Sequence, residues 1–396
     1  MTQTASMPLT RLIPLAFVNF TVGAGAFFII GMIGPLSTAL ALTKVQAGWI
    51  MSAYSLGYAF TSPFLVSLSG DRPRRDVILT GLALFILATV ASGFAWNAAS
   101  LYAARVLAAV GAGLVTPIVA AVAAGSTTPE KRGVALSMVF AGMTLSQVIG
   151  VPGGAFIGFT FGPRVAFLTA AALCTLAALW VRASTPRDVA FAPQSLRTLA
   201  RTLARPRDLV AVLLTVSITA AGYIGMVFLG PLAEMRFGMR REGVTLLLLA
   251  TGVGAFVGNM LGGFLVDRLG ATRTLALAII VQIVTSPLLT TVPFTLPLGM
   301  AIAVFWGIAG WGWTVPQQAR LIALDPKAQG VMLALNAAGI YLGSGLGAGI
   351  AGLVNEYLGL EATGLVSGAL GIFALLHLAF SEWLARRTPL REEVSQ

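Results

Sequence analysis

The chain alternates long apolar runs with short polar interruptions. Between charges and Gly, Pro or Asn punctuation, apolar stretches fall at 12–35, 46–67, 77–96, 100–123, 134–158 and 164–182. They fall again at 208–232, 244–265, 274–292, 297–319, 329–354 and 361–384. Each approaches the roughly 20 residues that an α-helix needs to cross a bilayer. The runs are continuous, whereas barrel strands would alternate over about 10 residues, so the pattern predicts helices. Twelve spans follow, and with them an all-α integral membrane fold. The longest polar stretch, 183–207, separates six spans from six. It predicts an N-terminal six-helix bundle over 1–182, a basic linker over 183–207 and a C-terminal six-helix bundle over 208–396.

Composition closes off other classes. Of 396 residues 57% are hydrophobic and 10% charged, against roughly 25% charged in a soluble protein. The mean hydropathy is +0.89. A soluble enzyme, a disulfide scaffold and a disordered chain are all excluded, because a soluble fold needs a polar outer shell. One cysteine, Cys174, permits no internal disulfide or thiolate metal cluster. One histidine, His377, supplies no multi-histidine site and is expected as a buried neutral imidazole, so no metal and no cofactor are expected. Arg11 precedes about 30 apolar residues, too many for the h-region of a cleaved signal.

The chain carries 25 Lys and Arg against 14 Asp and Glu, a net charge of +11. With the N-terminus inside, 19 of the 25 basic residues fall in cytoplasmic segments. Five lie outside (Lys44, Arg164, Arg236, Arg240 and Arg241), and Arg105 lies within a span. That asymmetry predicts both termini in the cytoplasm of a multi-pass inner-membrane protein. The basic excess is thereby a topology signal, and no nucleic-acid partner is expected.

The two halves repeat. Asp71-Arg72 recurs 196 residues later as Asp267-Arg268. Gly133-Val134, Leu136, Ala141 and Gly142 recur at an offset of 197 as Gly330-Val331, Leu333, Ala338 and Gly339, and Gly150 maps to Gly347. The chain reads as a tandem duplication giving two pseudo-symmetric bundles, the logic of transporters with a site between repeats.

Several motifs carry a family resemblance. Gly263, Asp267, Arg268, Gly270 and Arg273 follow the eighth span. Gly70-Asp71-Arg72-Pro73-Arg74-Arg75 follows the second, one residue short and without the second glycine. The fourth span has Arg105 and Gly113, with Ala109 where a glycine is usual; the fifth has Gly150, Pro152, Gly153 and Gly154. With these, the chain resembles the twelve-helix major facilitator superfamily over nearly its whole length. Pro316-Gln317-Gln318-Ala319-Arg320, Asn336 and the glycines of 343–352 resemble its bacterial drug:proton antiporter branch, which includes arabinose and sugar efflux proteins.

The resemblance implies secondary transport by alternating access: proton-coupled export of small neutral or amphipathic, drug-like or sugar-like molecules by a monomer in lipid. Asp71, Arg72, Asp267 and Arg268 are then a conformational lock for the outward-facing state, and otherwise solvated loop charges. Arg105 either faces the central cavity or snorkels to an interface. Further cavity candidates are Asn19, Tyr54, Gln147, Tyr223, Gln282, Trp306, Gln317, Asn336 and Tyr341, each of which has the alternative of an interhelical hydrogen bond. Gly150, Pro152, Gly153, Gly154, Gly343 and Gly347 are read as helix-packing or flexing positions. Gly347 to Gly352 spells GxGxxG, but no strand precedes it, so small-residue packing replaces a nucleotide reading.

One family feature is missing. Ala26 stands where the sugar-efflux branch carries an acid in its first helix. Glu234, following Gly230-Pro231, is the remaining proton-carrier candidate, with pairing to Arg236 as its alternative; Glu356 and the motif aspartates are further carboxylates. An uncoupled facilitator therefore stays open beside the antiporter, as does the direction of transport. A non-transporting sensor is the remote third reading. No nucleophile–base cluster or GxxxxGK[ST] loop suggests an enzyme or an ATP pump.

Overall fold

The computed structural model describes residues 9–69, 72–127, 132–185 and 196–387. Every regular element among them is helical: α1 (Ile13–Gly31), α2 (Ile33–Ala39), α3 (Lys44–Leu68), α4 (Arg74–Gly93), α5 (Ala98–Gly125), α6 (Arg132–Leu145), α7 (Val151–Phe161) and α8 (Pro163–Ser184). Then follow α9 (Leu196–Leu203), α10 (Pro206–Met226), α11 (Leu229–Phe237), α12 (Arg241–Leu269), α13 (Ala271–Thr291), α14 (Leu296–Gly312), α15 (Thr314–Leu324), α16 (Gln329–Tyr357) and α17 (Ala362–Arg387).

Among the described residues, eleven helical segments are long and apolar enough to cross a membrane. The twelfth expected passage is α3, with 25 residues but less apolar character. Its Ser52, Ser55, Tyr54 and Tyr58 are buried against the rest of the protein, so this helix spends its polar positions on a protein face rather than on lipid.

Four of the twelve passages are broken, which the apolar runs did not indicate. The first stops at Met32 and resumes as α2; the seventh pauses at Val227 and Phe228 before α11; the tenth breaks at Trp313. In the fifth, one π-helical turn at Ser146–Gly150 separates α6 from α7. Pro152 explains it, because the ring has no N–H to give to the preceding turn. The first and seventh breaks are repeat-related: Gly34-Pro35 returns 196 residues later as Gly230-Pro231.

The packing repeats as well. In the first half α1 lies against α6, α7 and α8, α3 against α5, and α4 against α5 and α8. In the second, α10 lies against α16 and α17, α12 against α14, and α13 against α14 and α17. The halves meet along α3 with α16, and along α7 and the π turn with α12. The stretch read as linker contains α9, whose Leu199 and Leu203 pack on α10 and α16. The end of the molecule beside α9 is called the linker end below, and the opposite end the far end.

Candidate functional site

The seam between α3 and α16 starts at the far end and runs inward. Lys44 Nζ donates to the Asn355 carbonyl at 3.4 Å, Ser52 Oγ to the Gly345 carbonyl at 2.7 Å, and Ser344 Oγ to Ser55 Oγ at 2.9 Å. The run ends on the stacked rings of Tyr58 and Tyr341, 3.7 Å apart at 25°. Beyond that pair the helices turn to their own halves. Ser62 Oγ donates to the Gly113 carbonyl at 2.8 Å, and Asn336 Oδ1 accepts from Thr215 Oγ1 at 2.8 Å. Serines and glycines at the seam let backbones approach, and the Ser52 and Ser344 hydroxyls find acceptors across the junction.

A second seam follows α7, the π turn and α12. Gly252 packs on the backbone of Val148 beside the Gln147 carbonyl, and at the far end Arg241 Nη1 donates to Thr160 Oγ1 at 3.3 Å. The linker-side α6 touches α12 far less than α7 does. Both seams are therefore tight toward the far end.

Where the seams converge lies an aromatic cluster. Four of the chain's six tyrosines gather there: Tyr54, Tyr58, Tyr223 and Tyr341 share one buried core with Phe27 and Trp306. Phe27 stacks on Tyr341 at 6.5 Å, and Tyr54 tilts against it at 6.3 Å. Arg105 places its guanidinium 4.4 Å from the Tyr54 ring centre. Its Nη1 donates to the Gly25 carbonyl at 3.1 Å and its Nη2 to the Ala26 carbonyl at 3.0 Å. With 0% of its surface exposed, Arg105 does not snorkel. The charge is held by backbone carbonyls of α1, at the very residue where an acid is missing.

Other expected cavity residues are divided. Gln317 Nε2 donates to the Ala211 carbonyl and to Thr215, so Gln317 and Asn336 belong to a polar knot inside the second half. Asn19 Nδ2 donates to the Val139 carbonyl, and Trp306 Nε1 to Ser286 Oγ at 2.9 Å. Unpaired and buried are the hydroxyls of Tyr54 and Tyr223, both amide ends of Gln147, Nε2 of Gln282, Oε1 of Gln317, Nε of Arg105 and Oδ1 of Asn19. A void of about 20 Å³ borders Tyr223, Trp306, Trp311 and Trp313. Tyr58, Phe27 and the seam serines were not singled out by sequence, although Tyr54 and Tyr58 stand four residues apart on one face of α3.

The profile of the Major Facilitator Superfamily matches residues 15–326. The chain belongs to this superfamily. It is 30% identical to the Bacillus subtilis MFS-type transporter YbcL, covering 90% of this chain and 92% of that protein. It is 28% identical to the Escherichia coli K12 inner membrane transport protein YdhP, over 96% of each chain. By fold it resembles the inward-facing, occupied structure of a bacterial homologue of the human lysosomal transporter Spinster, with a TM-score of 0.79, 17% identity and coverage of 98% of this chain and 100% of that one. The nucleoside transporter NupG follows, in a mutant form, with a TM-score of 0.74, 12% identity and coverage of 94% and 99%. This chain is thus a superfamily transporter, and the convergence of its seams is where the two repeats meet.

The remaining positions are placed as follows. In this superfamily member Asp71 lies outside the described residues, and Arg72 is exposed. Asp267 is exposed and makes no ion pair among the described residues, while Arg268 lies 4.3 Å over its own Phe264 ring. Gly150 and Gly154 pack on Ala24 and Phe28 of α1, and Gly343 and Gly347 on Val216 and Ala220 of α10. Gly153 has open space where a side chain would stand, so close packing does not account for it.

His377 is half-buried between Ser217 Oγ and the Val210 carbonyl, each at 3.0 Å. The carbonyl requires a proton on Nε2, which leaves Nδ1 to accept from the serine.

At the far end the seams open into a vestibule of about 1050 Å³ lined in part by Lys44, Glu234, Arg236 and Glu361. Arg236 pairs with Glu361 and donates to the Thr291 carbonyl at 3.0 Å, so it is not Glu234's partner. Glu234 is half-buried, its carboxylate instead reaching Gly34 across the junction of α2 and α11.

Proposed function

We propose that this transporter exports small neutral or amphipathic molecules, drug-like or sugar-like, by alternating access driven by inward proton flow. The observation that carries the reading is the asymmetry of the seams. Their cross-half hydrogen bonds lie toward the far end, below a vestibule, and α6 touches α12 far less than α7 does toward the linker end, which supports one state in a two-state rocking cycle. The Lys/Arg distribution supports a cytoplasmic linker end and cytoplasmic termini in an inner-membrane protein. This supports reading the state as inward-facing, and Asp267, which makes no ion pair among the described residues, suits a lock that closes only in the outward-facing state. The resemblance to the drug:proton antiporter branch supports export. The substrate, protons and lipid are the partners of a monomer composed of residues 1–182 and 208–396 joined by the basic linker.

Glu234 is the proton carrier in this reading. Its carboxylate contacts α2 across the junction and lines the far-end vestibule, so separation of α2 from α11 increases its exposure to water and their approach reduces it. A group whose solvation alternates with conformation can exchange protons with the two states unequally. The facilitator reading draws on Ala26, whose carbonyl holds Arg105 with no carboxylate between them. An imposed pH gradient across proteoliposomes separates the two. Uphill substrate movement that disappears in Glu234→Gln, while downhill exchange persists, is the expected result. Uphill movement surviving the substitution removes Glu234 from coupling; none in wild type, with downhill flux intact, makes the protein a facilitator.

Topology has its own test. A cysteine placed at Ser195, which lies outside the described residues, is expected to resist membrane-impermeant maleimide in intact cells in a Cys174→Ala background. It should react after permeabilisation. Labelling in intact cells would invert the orientation.

A further inference from the structure

We propose, on the basis of the transporter reading above, that the substrate admitted at the junction is a planar aromatic molecule. It bears hydrogen-bond-accepting oxygens and no cationic group, and it inserts between Tyr58 and Tyr341. The two rings come from opposite halves and stack at 3.7 Å. Rocking of the halves must part them, and each ring then loses a face partner. A flat ring entering the gap replaces one stacking contact by two, whereas a sugar or a branched aliphatic molecule replaces none. The pair thus acts as a stack that a substrate of the right shape completes.

The polar atoms around the stack select the ring's substituents. The Tyr54 and Tyr223 hydroxyls, Gln282 Nε2 and Arg105 Nε are buried without partners. Gln282 and Arg105 offer only donors at these atoms, and the phenols can donate. Buried donors left unpaired are costly, so a ligand that supplies carbonyl or ether oxygens recovers more here than one that supplies further donors. Gln282 stands across from Gly222, next to Tyr223, and Arg105 stands against Tyr54. Donors therefore approach the stack from both halves. Cations are rejected by the same arrangement. The guanidinium already occupies the Tyr54 face, and the spans of α1, α3, α5, α12 and α14 carry no carboxylate at mid-membrane depth.

The test uses the full chain in lipid nanodiscs with three probes: flavone, which is planar and neutral with two acceptor oxygens; ethidium, which is planar and cationic; and arabinose, which is neutral and non-aromatic. Binding is read by tryptophan fluorescence and thermal shift, and movement by counterflow in proteoliposomes. Flavone should bind and raise the melting temperature, with no response to the other two. Tyr341→Phe should keep affinity within about twofold, and Tyr341→Leu should weaken it about tenfold. Tyr54→Phe removes one unpaired hydroxyl without changing shape. It should weaken flavone severalfold while the unliganded protein melts no lower, which guards against a leucine variant that fails to fold. Absence of flavone binding, binding indifferent to both Tyr341→Leu and Tyr54→Phe, or preference for ethidium or arabinose overturns the proposal. Counterflow of ethidium or arabinose without flavone binding leaves the transport reading intact and defeats only the ligand class. Tyr341-dependent flavone binding with no counterflow of any probe does the reverse.

Discussion

Gly48→Leu is expected to reduce transport at least tenfold while leaving the protein folded and inserted. Gly48 sits in α3 at the far-end seam. A Cβ there would stand 2.7 Å from the Ala348 carbonyl oxygen, 2.8 Å from Gly352 Cα and 3.0 Å from Gly352 N. All three are backbone atoms of α16, which cannot rotate aside as a side chain would. Relief requires the two helices to separate by about 1 Å or more, at the usual cost of overpacking, about 1–3 kcal/mol. The strain falls on the contact between halves and on neither half alone, so it biases the conformational equilibrium rather than folding. A bias of about 1–3 kcal/mol is about a 5–150-fold change in population. The check is a cysteine at Ser55, which is fully buried under the seal beside Ser344, in a Cys174→Ala background. Impermeant thiol reagent at the far end should label it faster once Gly48 is leucine. Unchanged flux together with unchanged labelling would mean that the seam does not gate.

Gly347→Leu acts inside one half, and there the expected loss is of the folded protein itself. Gly347 of α16 lies on α10, where a Cβ would meet the Ala220 carbonyl oxygen at 2.5 Å and both Ala220 Cα and Tyr223 Cβ at 3.0 Å. The α10–α16 contact is among the most extensive within the second half, and it has no alternative state in which the wedge is tolerated. Leucine there should cost about 3 kcal/mol or more, the upper range for overpacking. Melting temperature and the yield of monodisperse protein in detergent should both fall. Gly347→Ala, which brings only the Cβ, should fall between. Wild-type melting of the leucine variant would contradict the close approach of α10 and α16. The two glycines differ in what they touch: one contact must open in each cycle, the other must not.

The helical class and the membrane passages were legible in the sequence, because hydropathy over about 20 residues is set by the bilayer rather than by partners. The duplication was legible too, in Asp71-Arg72 against Asp267-Arg268 and in Gly150 against Gly347. The repeated packing of α1, α6 and α8 against that of α10, α16 and α17 follows from it. The broken passages were partly legible. Gly34-Pro35 and Gly230-Pro231 mark the stretches resuming after two breaks, and Pro152 marks the π turn. An apolar run does not register such breaks, because a break changes backbone geometry without changing hydropathy.

The site was decided by tertiary structure. Arg105 was a visible charge, but its acceptors are the carbonyls of Gly25 and Ala26, which every residue type possesses and no side-chain pattern announces. Tyr54, Tyr58, Tyr223 and Tyr341 span 287 positions of chain from first to last, 341 less 54. Their convergence depends on how two separately packed bundles dock. Asn336 and the amide nitrogen of Gln317 carry the same polarity as Tyr223 and Gln282 in sequence, yet the first two are paired with Thr215 and the Ala211 carbonyl, while the Tyr223 hydroxyl, Gln282 Nε2 and Gln317 Oε1 stay unpaired. Sequence thus determined which groups the membrane interior must accommodate, since burying any of them carries a desolvation cost. Which of them are paired within the fold, and which are left to a substrate, was decided only by the docking of the two halves.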